Sequence, residues 1–438
     1  MVKYMNERNT LRINENGHLE IGGVDCADLR NKYGTPLYVM DQEYIENMCK
    51  IFDSTLKTEY GEGMIAYASK AFSCKEIYRI INSCGIGADS VSGGELYTAK
   101  SVEFPMEKIC FHGNNKSKEE LNYAVDNGVG FIVIDSFSEA DVLDEICRDK
   151  NLTQKVLIRI NPGVEAHTHH YIQTAKVDSK FGFSIKSGEA EDIVKYVNGK
   201  QNLNLVGLHC HIGSQIFEQK SFVLAVEIMT DFYKYLLDKY KIEFSVINLG
   251  GGFGIWYAEG DAKKSSAEYA EYVKIICDTL KKCTAEKGLI KPYLILEPGR
   301  SIVGEAGITL YTAGRIKNIK NVKDYIAIDG GMFDNPRYAL YQAKYTVVSA
   351  EKMREDCTKK YTVAGKCCES GDIIAEDVLL PETCEGDLLA VLSTGAYNYS
   401  MSSNYNRNLI PPVVIVKDGE SRYAVKPQTY EDLIRNDV

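Results

Sequence analysis

The sequence predicts an α/β barrel joined to a second, mostly β domain. Three observations lead there: a length of 438 residues, eight short apolar runs set among longer stretches of helical character, and a strand-rich texture after Arg300. A chain this long exceeds the size at which one core usually stops growing, so two domains are expected. Eight parallel strands, each followed by a helix over about 250 residues, describe a TIM (β/α)8 barrel that would bind its ligand at the strands' carboxyl ends. A doubly wound open sheet is the alternative fold.

The runs, in order, are MIAYAS from Met64, GIGADSV from Gly85, KICFHG from Lys108, FIVIDS from Phe131, VLIRINPG from Val156, LVGLHCHIG from Leu205, SVINLGGG from Ser245 and YLILEPG from Tyr293. Their β-rich composition between helical stretches is the pattern of repeated βα units. After them come ITLYTAGRI, YIAIDGG, YTVVSA, LLAVLSTGAY and VVIVKDG, strand-like runs separated by turn residues. The N-terminal LRINENGHLEIGG has Asn-Gly at a hairpin position and reads as part of the same β domain. The expected division is residues 1–40 with the β domain, 41–303 as the barrel and 304–438 as the rest of the β domain.

Composition narrows the class. Hydrophobic residues at 45% and charged residues at 26% are those of a globular protein. A net charge of -10 argues against nucleic acid as a partner, which calls for a basic patch, and favours a small-molecule or protein partner. The start MVKYMNERNT is followed by no apolar run, and no stretch of eighteen apolar residues occurs, so neither a signal peptide nor a membrane partner is expected and the location should be cytoplasmic. Thirteen irregularly spaced cysteines then read as free thiols.

The reactive residues cluster at the ends of the runs. Lys70 ends the first, where a partly desolvated ammonium would have a lowered pKa and be able to form a Schiff base; a snorkelling surface lysine is the plainer reading. Asp89 lies in the second run, and His112 ends the third. Gly250, Gly251 and Gly252 follow the seventh, where backbone N–H groups can approach a phosphate, and Pro298, Gly299 and Arg300 follow the eighth with a guanidinium. A flexible turn explains a glycine triplet equally well. Glu297, buried at a strand end, requires a cationic partner, either an arginine or a protonated pyridine nitrogen.

His209 and His211, two apart on a strand, invite a metal reading together with His167, His169 and His170, but no carboxylate or cysteine in the sequence completes the set, so no metal is expected. One imidazole would instead stack on a flat cofactor or sit in the core. In the second domain, GKCCES places Cys367, Cys368 and Glu369 in a polar loop where an exposed thiol can act as an acid. Arg337 and Tyr341 of NPRYALY and Tyr397 of TGAYNYS are candidates for carboxylate or phosphate, or for an interface.

YASKAF, SGGELYTA, HGNNKS, PGVEAHTH, SKFGF, GLHCHIGSQ, LGGGFG, EPGRSIV, DGGM, NPRYALY, GKCCESGD and TGAYNYSMSSNYN occur in this order from about Tyr38 onward. This series resembles the diaminopimelate decarboxylase family of fold-type III enzymes. The resemblance implies an alanine-racemase-like architecture, pyridoxal 5'-phosphate as cofactor, and a homodimer with active sites shared between subunits. It implies Lys70 as the covalent anchor, His211 stacked on the cofactor ring, and Glu297 at the ring nitrogen. Asp89, Ser214, Gly250 to Gly252, Pro298 to Arg300 and Tyr397 would complete the cofactor site.

For the substrate, the resemblance implies Arg300, Arg337 and Tyr341 at the distal carboxylate end, Glu369 at the amino group beside it, and Tyr397 nearby. Cys368, the candidate proton donor, and Glu369 would come from the other subunit. The implied reaction is decarboxylation of meso-2,6-diaminopimelate to L-lysine, the last step of lysine biosynthesis. Tyr338 departs from the proline common there in the family. Competing readings are a sister decarboxylase for another basic or carrier-bound amino acid, and a catalytically silent cofactor-binding regulator.

Overall fold

Alternation along the strands sets the layers of this protein. The computed structural model describes residues 10–164 and 179–438. The N-terminal hairpin signal becomes a small antiparallel sheet, β1 (Arg12–Ile13), β2 (Leu19–Ile21) and β3 (Val24–Asp25), in which Gly17 takes φ +80° at the turn. Helix α1 (Cys26–Tyr33) starts on the Asp25 cap, whose carboxylate accepts from Ala27 N. Then β4 (Leu37–Asp41) leads into α2 (Gln42–Glu59).

The barrel follows as β5 (Gly63–Ala68), α3 (Lys75–Ser83), β6 (Gly87–Ser90), α4 (Gly93–Lys100), β7 (Ile109–Phe111), α5 (Lys118–Asp126), β8 (Phe131–Ile134), α6 (Phe137–Asp149) and β9 (Gln154–Asn161). It continues with β10 (Phe183–Ser184), α7 (Glu189–Asn198), β11 (Leu203–Cys210), α8 (Gln219–Tyr240), β12 (Val246–Asn248), α9 (Ser266–Lys287), β13 (Tyr293–Leu296) and the short α10 (Arg300–Val303). All ladders are parallel, and the pairs β13–β5 and β8–β9 close the ring, so the open-sheet alternative is excluded. The eight runs supply the eight barrel strands; β10 is an extra two-residue strand added beside β9.

Because side chains alternate, Ile65 and Tyr67 face the helices while Met64 and Ala66 face inward. Met64, Ala66, Cys110, Val133, Leu157, Val246 and Ile295 form one apolar plug in the barrel's interior. On five of these strands the position two residues further along is polar: His112, Asp135, Arg159, Asn248 and Glu297. The same phase that fills the barrel below thus lines its carboxyl end with ionisable groups.

The rest of the chain is mostly sheet: β14 (Gly307–Ile319), β15 (Lys323–Ile328), α11 (Arg337–Tyr341), β16 (Val347–Ser349), β17 (Lys359–Ala364), β18 (Ile373–Leu380), β19 (Leu388–Leu392), β20 (Val413–Lys417), β21 (Glu420–Val425) and α12 (Tyr430–Ile434). β4 from the N-terminal region runs antiparallel to β14 and parallel to β20, which makes it a strand of this sheet. Leu19, Leu37 and Val39 share a core with Ile308, Leu388 and Val414. All thirteen cysteines are free. Among the described residues no helix is long and apolar enough to cross a membrane.

Candidate active site

A cavity of roughly 650 Å³ opens at the carboxyl end of the barrel strands, where the β domain meets the barrel. Lys70, Asp89, His211, Ser214, Gly252, Glu297, Gly299 and Arg300 line it from the barrel side, and Arg337, Tyr341 and Tyr397 from the other. Gly250, Gly251 and Pro298 lie in the same loops just behind this wall, where Glu297 N donates to Gly250 O at 2.7 Å and Ala68 N to Pro298 O at 3.2 Å.

Lys70 sits in a 3-10 turn, Ser69–Ala71, directly after β5. Its exposed surface belongs to the cavity wall. The expectation of a lowered pKa is corrected here. Burial does push the ammonium down, but the opposing charges of Asp89, Tyr397 and Glu297 outweigh it and leave the pKa raised. Lys70 is therefore a protonated resting group, and its chemistry depends on what displaces those partners.

Glu297 is 5% exposed. Its Oε1 accepts from Asn248 Nδ2 at 2.6 Å and lies 2.8 Å from His112 Nε2, while Oε2 lies 3.3 Å from His209 Nε2. Burial would raise the carboxyl pKa, but the two imidazoles hold it well below the usual range. The partners are histidines and an amide, not the arginine weighed from sequence. For Asp89 burial wins: its pKa is raised, against the pull of His112.

The metal reading of the histidines also needs correction. No carboxylate was expected to join His209, yet His112, His209 and Glu297 place their ligand atoms within 4.8 Å of one another. Three strands far apart in sequence supply them. His211 lies past the end of β11, with burial and Lys70 driving its pKa well down, and burial sets His209 at about 3. Both rings are neutral at pH 7. His167, His169 and His170 lie outside the described residues.

The glycine triplet is dictated by space. Gly250 and Gly252 have φ of +66° and +107°, and a Cβ on Gly251 would meet Glu297 O at 2.0 Å. Facing this loop, Arg300 donates from Nη2 to Ser214 Oγ at 2.9 Å. Arg300 and Arg337 both donate to the Tyr257 hydroxyl, Arg337 at 3.0 Å. Their guanidinium carbons lie 4.8 and 5.7 Å from the Tyr397 ring. Tyr397 is held at φ +63°, its N–H donating to Ala71 O beside Lys70.

Cys368 and Glu369 are not brought into this cavity. Both are exposed on a loop fixed by the Asp372 carboxylate, which accepts from Cys367 N at 2.7 Å and Met332 N at 2.6 Å. Cys368 N donates to Asn406 Oδ1 at 2.9 Å. Cys367 is buried, and burial together with Asp372 pushes its thiol up to about 12. Tyr338, the departure from the family pattern, donates to Glu376 at 2.6 Å, away from the cavity. The sequence reading missed Arg159, Asn248 and Tyr257; counting in steps of two from the apolar plug finds the first two.

This donor set fits a flat, phosphorylated, nitrogen-containing ring. Arg300 Nε, Asp89 Oδ1 and His209 Nδ1 are buried with no hydrogen-bond partner among the described residues. An ionised carboxylate, an amine and a glycine-lined turn with a guanidinium surround one space, matching a ring nitrogen, an aldehyde and a phosphate.

Comparison with known proteins agrees. Residues 44–304 match the family described as pyridoxal-dependent decarboxylase, pyridoxal binding domain. The chain is 49% identical to the diaminopimelate decarboxylases of Halalkalibacterium halodurans and Bacillus subtilis over 429 residues, covering 98% of this chain and 97% of each relative. Among solved structures, a diaminopimelate decarboxylase from M. jannaschii in complex with L-lysine superimposes with a TM-score of 0.91 at 34% identity, covering 99% of both chains.

Proposed function

From the premise that this chain belongs to the pyridoxal-dependent decarboxylases, and within them to the diaminopimelate decarboxylases, we propose how its residues divide the work of converting meso-2,6-diaminopimelate to L-lysine and carbon dioxide. Pyridoxal phosphate, when bound, supplies the electron sink that takes up the electron pair left as the bond from Cα to the carboxylate breaks. The protein's part is to bind, orient and manage protons.

Lys70 would hold the cofactor through its side-chain amine. Its ammonium, held near Asp89, would first pass its proton to that carboxylate, since only the neutral amine is a nucleophile. Glu297 keeps the ring nitrogen protonated. The observation that carries the reading is its setting: a carboxylate kept ionised in the barrel by His112 and His209 and fixed by Asn248 is the group that suits a cationic nitrogen. Gly250 to Gly252, Ser214 and Arg300 hold the phosphate. His211 offers its neutral ring to one face of the cofactor.

Arg337 and Arg300, with Tyr341 at the rim, hold the distal carboxylate of the substrate, which a simple diamine precursor lacks. Cys368 and Glu369 act in the cavity of a second copy of the chain, the protein working as a homodimer in the cytoplasm. There Glu369 takes the distal ammonium, and Cys368 returns a proton to the carbon that has lost carbon dioxide. Their exposure, on a loop rigidly held by Asp372, suits an interface role.

The test is carbon dioxide release by the pyridoxal-phosphate-loaded protein from meso-diaminopimelate, L-lysine, L-ornithine and L-arginine. Release from diaminopimelate with equal lysine formed is expected; preference for another substrate would overturn the assignment. Mixing Lys70→Ala and Cys368→Ala proteins should restore activity that neither has alone, and failure to do so would refute the shared site.

A further inference from the structure

Tyr257 lies in the loop between β12 and α9 and is 5% exposed. It stands behind the cavity wall, not on it. Its hydroxyl nevertheless accepts a hydrogen bond from Arg300, which follows the last barrel strand, and another from Arg337, on α11 of the β domain. Its ring lies 5.6 and 5.3 Å from the two guanidinium carbons, the Tyr397 ring lying near both as well. Two like charges from different domains thus share one phenol oxygen between two aromatic rings.

The anchor itself is fixed. Tyr257 N donates to Asp261 Oδ2 at 3.1 Å, and its carbonyl accepts from Thr346 N at 3.1 Å and Thr346 Oγ1 at 3.0 Å. Tyr345 packs edge-on at 5.3 Å. Arg300 has a second acceptor in Ser214, whereas Tyr257 is the hydrogen-bond acceptor recorded for Arg337 among the described residues. A phenol oxygen has lone pairs enough for two donors, and a guanidinium whose fork is set in advance loses less freedom on meeting a carboxylate.

We propose that Tyr257 is a positioning residue that holds Arg300 and Arg337 as one dicationic site for the carboxylate end of the substrate. This rests on the reading of those arginines as the distal-carboxylate pair. The closing experiment is therefore made partly independent of turnover.

The probe is pimelate, a dicarboxylate of the same chain length that has no amine to react. Its binding to the loaded protein is followed by calorimetry and by fluorescence of Trp256, the chain's one tryptophan and the neighbour of Tyr257. Tyr257→Phe keeps the ring and removes the shared acceptor. It should weaken pimelate binding roughly tenfold or more, as expected for lost hydrogen bonds to charged groups. With meso-diaminopimelate, KM should rise by a similar factor while kcat stays within about threefold, a split that a general structural defect would not give.

Unchanged pimelate affinity, or a fall in kcat at constant KM, would overturn the proposal. So would a wild-type protein that does not bind pimelate. If the wild type binds pimelate but releases no carbon dioxide from diaminopimelate, the decarboxylase reading fails, and the pimelate comparison alone judges Tyr257. Should Tyr257→Phe fail to fold, Tyr257→Gln and Tyr257→Leu serve in the same titration: tighter pimelate binding by the glutamine variant, whose amide oxygen can take both donors, supports the proposal, and equal affinity of the two refutes it.

Discussion

Glu297 and Glu369 are both assigned to a nitrogen-bearing partner, yet their surroundings are opposite. Glu297 is enclosed in the barrel by Asn248, His112 and His209, which fix both of its oxygens. Glu369 is exposed on a loop, its carboxylate reached at 3.4 Å by Ser370 Oγ and Gly371 N of its own turn. The barrel side of the site is finished within one chain. The Cys368–Glu369 loop of the β domain is held by its backbone, with both side chains left outward. Under the proposed division of roles, a cofactor that stays bound would suit a preorganised wall, whereas a residue offered to another copy would have to stay accessible until assembly.

Substitutions sharpen that contrast. Lys70→Ala should lower kcat on the order of 10⁴-fold and abolish the visible absorbance that the protein gains with pyridoxal phosphate; a persisting band would mean another lysine is the anchor. Glu297→Gln removes a buried charge from two histidines. It should cost about 3 kcal/mol in denaturant unfolding, besides lowering kcat roughly 10²-fold or more. Gly251→Ala forces a methyl group against Glu297 O, a contact of 2.0 Å in the present backbone. We expect a loss of about 1–3 kcal/mol with weaker cofactor binding.

Glu95 tests the barrel wall by pH. Burial raises its pKa to about 7, while Oε2 accepts from Val91 N at 2.7 Å. The folded state favours the neutral acid, so this contribution is complete below the unfolded pKa of about 4.3 and is lost as pH rises through about 7. Glu95→Gln should therefore melt higher than wild type at pH 8, by on the order of 2 kcal/mol, and match it near pH 4. A constant difference across that range would show that charge is not the cause.

The smallest effect on stability is expected on the outward loop. Glu369→Gln and Cys368→Ser should leave the unfolding midpoint within about 0.5 kcal/mol of wild type while impairing turnover. If either destabilises the monomer as much as Glu297→Gln does, the contrast between the two walls is wrong.

Much of the fold was legible because it rests on local rules. The eight apolar runs are the eight barrel strands, and Asn-Gly marks the N-terminal hairpin. β17, β18 and β21 were not singled out: β17 begins with two exposed lysines, and the others carry exposed charged residues among their apolar ones. In the site, Lys70, Glu297 and the glycine triplet stood out because a charge or a glycine at an apolar strand's end is anomalous. Arg159 and Asn248 were hidden among apolar neighbours until the inward phase was known. Tyr257 carried no signal, since a tyrosine in a loop is commonplace.

The sequence by itself determined the period-two phase of each strand, the glycine triplet after the seventh strand, and the reactive side chains at the strand ends. These depend on a residue and its nearest neighbours. The tertiary structure alone decided which of those groups meet: that His112, His209 and Glu297 surround one point, that Lys70 is charged by Asp89 rather than made neutral by burial, and that Tyr257 joins two arginines from different domains. Such meetings follow from barrel closure and domain packing, and electrostatic energy depends on distances across the fold that no local pattern encodes.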